Sequence, residues 1–177
     1  MRVVTLPVSG EVLKSLKAGE QILLSGLVAT ARDAAHNLML NTGSVPFDIA
    51  NIPIFYTGPS PAPPGHVIGS CGPTTSARME PFIPDMLRLG MKVVIGKGEM
   101  SEKTRKLFHK HGAVYLAATG GAGALASTKI KSRKIVAWEH LGPEAVSILE
   151  LDNLPVFVAW DLHNGSIYTR KLSDNER

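Results

Sequence analysis

Cysteine is almost absent from this sequence of 177 residues, which contains only Cys71. One thiol cannot form an intramolecular disulfide, and the thiolates of this chain alone cannot hold a metal centre or an iron-sulfur cluster. A chain without disulfides is typical of a reducing compartment. No apolar run reaches the ~20 residues of a membrane span, and the start has no signal-peptide core. We therefore predict a cytoplasmic protein that binds no membrane and contributes no metal ligand.

Aromatic residues and concentrated basic stretches are also scarce. Phe, Trp and Tyr make up 6% of the chain, and its 19 Lys and Arg residues, against 15 Asp and Glu, are spread along it. Nucleic-acid binding usually needs a basic face with aromatic side chains for stacking, so we expect no nucleic-acid partner. The net charge of +4 suits a small anionic ligand, although ordinary surface charge explains it equally well.

Strand-like apolar runs alternate with helical patterns along the chain. The strand-like runs include 21–31, 92–96 and 113–119, and the helical patterns include 31–40 and 101–112. Such alternation indicates an α/β fold with a mainly parallel central sheet. With 44% hydrophobic residues, the chain is long enough for one core and too short for two independent ones. We predict a single domain spanning residues 1–177.

The segment GPTTSARM, residues 72–79, combines small hydroxyl side chains with an arginine directly after a Gly-Pro turn. If Thr74 caps a short helix, Arg78 lies one turn further on the same face. A hydroxyl, free backbone amides and a guanidinium can then face one anion. A carboxylate is the natural ligand, because a guanidinium can bind it through two parallel hydrogen bonds. The alternative is an ordinary helix cap with Arg78 in solvent.

Two further motifs contain candidate site residues. GKG, residues 96–98, ends an apolar strand, and α/β proteins bind ligands at the carboxyl ends of strands, so Lys97 is a candidate ligand-binding cation. ARDAAH places Arg32 and His36 four residues apart, and a histidine can transfer protons near neutral pH. The alternatives are a loop lysine in solvent and a structural histidine.

The segment GGAGALA supports a competing function. Gly121, Gly123 and Ala126 match the GxGxxA pattern of dinucleotide-binding units, and Glu139 follows where a ribose-binding acid would stand. Only residues 140–177 remain after it, which is short for the further βα units of such a domain. Close packing of a helix through small residues is the favoured explanation. A dinucleotide-binding oxidoreductase and a non-catalytic binding domain remain the alternative functions.

Six separated motifs resemble one family when they are taken in order. They are TARDAAH, FYTGPSP, CGPTTSARM, GKG, ATGGAGALA and AWEHLGPEAV. Together they are similar to the β subunit, or C-terminal domain, of class I fumarate hydratases and the related L-tartrate dehydratases, from about Pro7 to Asp161. The resemblance implies a swivelling β/β/α domain of an iron-sulfur hydro-lyase. It also implies a partner α subunit that binds the 4Fe-4S cluster through its own cysteines.

The resemblance implies a four-carbon dicarboxylate substrate, fumarate and L-malate or, as the alternative, tartrate. The resemblance also implies a hetero-oligomer with the α subunit, and a homodimer is the alternative state of the isolated chain. By position, His36 is a catalytic or substrate-binding group, Thr74 a proton-transfer base, and Arg78 and Lys97 cations that hold carboxylates.

Two parts of this implied site are incomplete. Threonine is a poor base unless a partner takes its proton, so we expect a carboxylate of the α subunit near Thr74. The family has a further substrate-binding arginine, and the segment TGPSPAPPG contains no basic residue that could supply it. Arg32 is our candidate for this role. The choice between fumarate and tartrate stays open.

Overall fold

The computed structural model describes residues 1–119 and 123–168. Its strands are β1 (Arg2–Thr5), β2 (Gln21–Thr30), β3 (Ile54–Phe55), β4 (Val93–Gly96), β5 (Val114–Ala117), β6 (Ile130–Ala137) and β7 (Val146–Trp160). Its helices are α1 (Gly10–Ser15), α2 (Asp33–Thr42), α3 (Ile83–Arg88), α4 (Glu102–His111) and α5 (Gly123–Thr128), with 3₁₀ helices at Ser76–Met79 and Glu139–Glu144. Within these residues, no helix is long and apolar enough to cross a membrane.

The central sheet is mixed, and the prediction of a mainly parallel sheet is therefore wrong. The pairs β1–β2, β2–β3, β3–β4 and β4–β5 are parallel. The long strand β7 runs antiparallel to β2, β5 and β6. Because β7 pairs with both β2 and β5, the pairings from β2 through β3, β4, β5 and β7 return to β2 and close a ring.

The antiparallel pairs were not predicted because the sequence does not show the full length of β7. Asp152, Asn153 and Pro155 are turn-forming residues that divide its apolar run, so only the second half reads as a strand. The strand continues through them because Asn153 adopts a φ of 55° beside an irregularity in β2. There the Asn153 N–H donates to Ser25 Oγ at 2.9 Å, which replaces the missing ladder bond.

Two hydrophobic clusters pack on opposite faces of the sheet. Val93 and Ile95 of β4 belong to one cluster, whereas Val94 between them belongs to the other. This alternation follows the two-residue period of a strand, and burial of both faces explains the unbroken apolar sequence of β4. The first cluster includes residues of α1, and the second includes residues of α2, α3 and α4.

Local signals set the bounds of the helices near the candidate site. The Ser101 Oγ accepts from the Thr104 N–H at the start of α4, and Gly112 ends that helix at a φ of 63°. Both boundaries agree with the sequence pattern, because Ser is a favoured N-cap and glycine adopts positive φ readily. Helix α2 begins three residues after β2 ends. Arg32 therefore lies at the junction of a strand and a helix.

Candidate functional site

The carboxyl ends of β2, β3 and β4 meet the segment 72–79 at one edge of the sheet, which we call the carboxyl edge. Thr57, after β3, forms an isolated bridge with Pro73. Thr75 forms a second bridge with Lys97, after β4. The GPTTSARM and GKG motifs therefore lie side by side, as expected for ligand-binding segments at strand ends.

Thr74 lies between these two bridges and is half-buried. Its backbone N–H donates to the Tyr56 carbonyl at 2.6 Å. The 3₁₀ helix begins at Ser76, with Thr75 as an N-cap that makes no side-chain hydrogen bond, so Thr74 is not a helix cap. Among the hydroxyls of residues 74–77, that of Ser76 forms hydrogen bonds, with the Tyr115 hydroxyl and the Lys97 N–H. The Thr74 hydroxyl has no such partner within the described residues.

Arg78 extends from the 3₁₀ helix to the start of α2. Its Nη2 lies 2.8 Å from Asp33 Oδ2, and the two side chains are 54% and 32% exposed. An ion pair exposed to this extent typically contributes about 0 to 1 kcal/mol. A ligand carboxylate can therefore replace Asp33 as the partner of Arg78 at little cost. This contact joins the GPTTSARM motif to ARDAAH.

Arg32 lies just after β2, and its guanidinium packs against the backbone that follows β3. A Cβ atom at Gly58 would lie 2.5 Å from Arg32 Nη1, so the guanidinium needs the space that glycine leaves. Arg32 Nε lies 3.5 Å from Glu144 Oε1 in an ion pair, although this nitrogen makes no hydrogen bond within the described residues. Gly58, in the TGPSPAPPG segment, thus leaves space for the guanidinium of Arg32.

Lys97 follows β4 directly and is half-buried. Its backbone N–H donates to Ser76 Oγ at 3.0 Å, and its carbonyl accepts from the Ser76 N–H at 2.9 Å. The next residue, Gly98, has a φ of 80°, in the left-handed region that favours glycine. The ion pairs found among the described residues do not include Lys97. Its ammonium group is therefore available to an anion.

His36 is fully buried on α2, between the rings of Phe82 and Tyr56. Its Nδ1 lies 2.7 Å from the Arg32 carbonyl, which can only accept, so Nδ1 carries the proton. Burial lowers the pKa of His36, whereas the Arg32 carbonyl and the charge of Asp33 act in the opposite direction. Its Nε2 has no partner within the described residues. The ring is thus a neutral imidazole bonded to the backbone of Arg32.

Several contributors to the carboxyl edge are not evident from the sequence. Gly58 and Glu144 contact Arg32, while Ser76 and Tyr115 bind the turn around Lys97. The sequence marks the contact with Ser76 only through Gly96, because a Cβ at that position would collide with Ser76 Oγ. Glycine in a buried strand often marks such a close approach.

The described part of the chain offers no ligand set for an iron-sulfur cluster. The Cys71 thiol is buried, with Sγ 3.4 Å from Thr57 Oγ1, and burial raises its pKa to about 11. Such a thiol stays protonated, whereas the thiolate is the metal ligand. Within residues 1–119 and 123–168, no group of three or more His, Cys, Asp or Glu side chains is arranged to hold a metal ion.

The described part of GGAGALA packs closely against residues 71 and 72, in agreement with the explanation favoured over a dinucleotide site. Gly121 lies outside the described residues, but Gly123 and Ala126 belong to α5. The Gly123 carbonyl accepts from the Cys71 N–H at 3.2 Å, and a Cβ at Gly72 would lie 3.5 Å from Gly123 Cα. The next strand, β6, pairs antiparallel with β7. The chain therefore does not continue into a parallel βαβ unit, as a dinucleotide-binding domain would.

Comparison with known proteins identifies the family. Residues 2–171 match the family model described as Fumarase C-terminus. The chain belongs to this family, which confirms the resemblance drawn from the six motifs.

The relatives of this chain carry the names of two hydro-lyases. A chain of Methanocaldococcus jannaschii, provisionally named L(+)-tartrate dehydratase subunit beta, is 39% identical over 88% of this chain and 85% of its own length. The L(+)-tartrate dehydratase subunit beta of Escherichia coli K12 is 31% identical over 94% of this chain and 86% of its own. The anaerobic class I fumarate hydratase of that strain is 35% identical over 84% of this chain but 28% of its own. The chain thus spans most of a dehydratase β subunit and under a third of that fumarate hydratase.

Proposed function

We propose that this chain is the β subunit of an iron-sulfur-dependent hydro-lyase that interconverts fumarate and L-malate. The observation that carries the proposal is the meeting of the GPTTSARM, GKG and ARDAAH motifs at the carboxyl edge, in a chain of this family. Arg32, Arg78 and Lys97 bring three cationic groups to this edge. Cations of this kind suit a dicarboxylate, since a guanidinium binds a carboxylate through two hydrogen bonds.

Each proposed site residue has a separate task. Arg78 exchanges Asp33 for a substrate carboxylate, and Lys97 and Arg32 bind the remaining carboxylate oxygens. The Thr74 Oγ1 accepts the proton that leaves the substrate carbon next to the hydroxyl-bearing carbon. A carboxylate of the α subunit takes the threonine proton, because a hydroxyl alone is too weak a base near neutral pH.

His36 acts in this proposal through Arg32. Its ring lies in the core and donates to the Arg32 carbonyl, at the residue where β2 gives way to α2. A neutral, enclosed imidazole has no proton to give at Nε2 and no solvent with which to exchange one. We therefore propose that His36 orients Arg32.

The cluster belongs to the α subunit in this proposal, and this chain supplies substrate binding and proton transfer. Because the described residues lack a ligand set, the purified chain should contain no stoichiometric iron. The chain, as a single domain over residues 1–177, would swivel against the α subunit to close the site. A reducing cytoplasm suits both the unpaired Cys71 and an exposed cluster.

We propose the segment 58–72 as part of the contact with the α subunit, because a site with one wall needs a second surface to exclude water. This segment leaves Val67 48% exposed. Its ends are held together, since the Ser60 N–H donates to the Ser70 carbonyl at 2.9 Å. Amide exchange in residues 58–72 should slow when the α subunit is added. Unchanged exchange on forming an active complex would contradict this contact.

L-tartrate dehydration is the alternative function. It is supported by two relatives named as tartrate dehydratase β subunits, of which the chain covers 85% and 86%. Tartrate carries a second hydroxyl, which requires one more hydrogen-bond partner in the closed site.

The test is to co-express this chain with a candidate α subunit from a neighbouring gene and to reconstitute the complex without oxygen. We expect the complex to convert malate to fumarate, and each subunit alone to be inactive. Faster turnover of tartrate would establish the alternative. Turnover by this chain alone without iron, or an iron-sulfur absorption band from the purified chain, would overturn the proposal.

A further inference from the structure

Ser76 and Tyr115 connect the 3₁₀ helix to the turn that carries Lys97. The Lys97 N–H donates to Ser76 Oγ at 3.0 Å, and Ser76 Oγ lies 2.9 Å from the Tyr115 hydroxyl. The Tyr115 hydroxyl donates to the Gly98 carbonyl at 2.8 Å. We call these four groups the turn clamp, because both ends of the chain of hydrogen bonds lie on the turn Gly96–Gly98.

The direction of each hydrogen bond in the turn clamp follows from the donors available. A carbonyl only accepts, so the Tyr115 proton is committed to Gly98. The Ser76 proton must then point to the Tyr115 oxygen, which leaves Ser76 Oγ free to accept from the Lys97 N–H. Each hydroxyl thus donates once and accepts once, and each of these bonds depends on the next.

The two side chains of the turn clamp lie in the core and have little freedom to move. Ser76 and Tyr115 are both fully buried. The Tyr115 ring packs edge-to-face against Phe108 and Trp160, with centroid distances of 6.4 and 5.1 Å. Burial raises the pKa of Tyr115, so the hydroxyl remains a donor. A shift of the turn would take one hydrogen-bond partner from each of the buried hydroxyls of Ser76 and Tyr115, which is costly.

We propose that Ser76 and Tyr115 are positioning residues that set the separation between Lys97 and the segment Thr74–Arg78. The 3₁₀ helix carries Arg78, and the turn carries Lys97, so the turn clamp fixes one cation of the edge relative to another. This inference rests on the proposed function, since it assumes that Lys97 and Arg78 hold one ligand. A misplaced ammonium would bind the substrate and the transition state less tightly by a similar amount, which raises KM and leaves kcat nearly unchanged.

Tyr56 provides a matched control for Tyr115. Both tyrosines are fully buried and belong to the same hydrophobic cluster. The Tyr56 hydroxyl has no hydrogen-bond partner within the described residues. Replacement of either tyrosine by Phe removes one buried hydroxyl, and the Tyr115→Phe change additionally breaks the turn clamp.

The test measures steady-state kinetics of malate dehydration in the reconstituted complex. We expect Tyr115→Phe to raise KM about tenfold with less than about a threefold change in kcat, and Tyr56→Phe to change neither. In a Lys97→Met background, Tyr115→Phe should change kcat/KM by less than about twofold, because no ammonium is left to misplace. An unchanged KM in Tyr115→Phe, or an undiminished effect in the Lys97→Met background, would overturn the proposal.

Ser76→Ala keeps the test decisive if Tyr115→Phe does not fold, because it removes the preceding link of the turn clamp. It should raise KM by the same factor as Tyr115→Phe. Amide exchange at Lys97 separates this inference from the proposed function. If the wild-type complex has no hydro-lyase activity, the proposed function fails. Faster Lys97 exchange in Ser76→Ala than in Tyr56→Phe would then still support the turn clamp, and equal exchange would overturn it.

Discussion

Carboxylates at the two ends of the sheet are bound in different ways. At the carboxyl edge, Asp33 pairs with Arg78, and Glu144 pairs with Arg32. Each of these contacts joins two side chains that retain access to solvent. At the opposite end, where β7 finishes beside the start of β2, Asp161 is 6% exposed and bound by backbone groups.

The amino edge, as we call this second end, is closed by three backbone donors. Asp161 Oδ2 accepts from the Ala18 N–H at 2.7 Å, and Oδ1 accepts from the N–H groups of His163 and Gly165 at 2.8 and 2.7 Å. Backbone donors cannot turn away, whereas an arginine can rotate to a new partner. Asp161 is thus a fixed structural element of the amino edge, whereas Asp33 at the carboxyl edge pairs with a side chain that can rotate away from it.

Thr74→Val, at the carboxyl edge, should give the largest effect. It keeps the shape of the side chain and removes the hydroxyl, so turnover of the complex should fall about a hundredfold or more while KM changes little. The melting temperature should be nearly unchanged, because Thr74 does not cap the 3₁₀ helix. Thr75→Val is the matched control at the exposed neighbouring position. Wild-type turnover in Thr74→Val would refute the catalytic task of this hydroxyl.

Arg78→Lys should have the next largest effect. The lysine keeps the charge but loses the two parallel hydrogen bonds to a carboxylate, so kcat/KM should fall about tenfold to a hundredfold. Arg88→Lys is the control, because Arg88 forms an exposed ion pair with Asp85 on α3. Steady-state kinetics of both complexes would decide. Equal effects of the two substitutions would show that Arg78 is an ordinary surface arginine.

Asp161→Asn should destabilise the fold without affecting substrate binding. Burial alone would raise the pKa of Asp161, but the backbone N–H groups of Ala18, Gly165 and His163 together hold it below its usual range. The ionised form therefore stabilises the fold above pH of about 4, and this contribution is lost as the pH falls through the lowered pKa. Loss of the charge should cost about 2 to 3 kcal/mol of unfolding free energy at pH 7.

Urea unfolding at pH 7 and at pH 3 measures this contribution, and the deficit of Asp161→Asn should be smaller at pH 3. Asp152→Asn is the control, because Asp152 forms an exposed pair with Lys131 and should lose less than about 0.5 kcal/mol. A selective rise in KM in Asp161→Asn would show that the two edges are not separate.

His36→Gln should give the smallest effect, a change in the pH dependence of stability. Burial lowers the pKa of His36 in the folded chain, so the unfolded chain binds more protons just below the ordinary value of about 6.5. Wild-type stability should therefore decline as the pH falls below about 6.5, and His36→Gln should decline less. Identical slopes in the wild type and in His36→Gln would contradict a neutral, buried His36.

Much of the local structure could be predicted because its causes lie close together in the chain. Ser101 and Gly112 delimit α4 through contacts within a few residues. The apolar run of β4 is interpretable alone, since a buried strand needs only successive apolar side chains. The candidate cations were recognisable for a similar reason, because they stand directly after strands or turns that the sequence marks.

It is evident from neighbouring residues which of them form α4 and β4 and which motifs carry cations and hydroxyls, because short-range sterics and burial set these features. Tertiary packing decided that β7 closes the sheet and that Tyr115 binds Ser76, 39 residues away. It also decided that His36 lies in the core beneath Arg32. Such contacts depend on strand register and on the packing of distant segments, and local propensity carries no record of either.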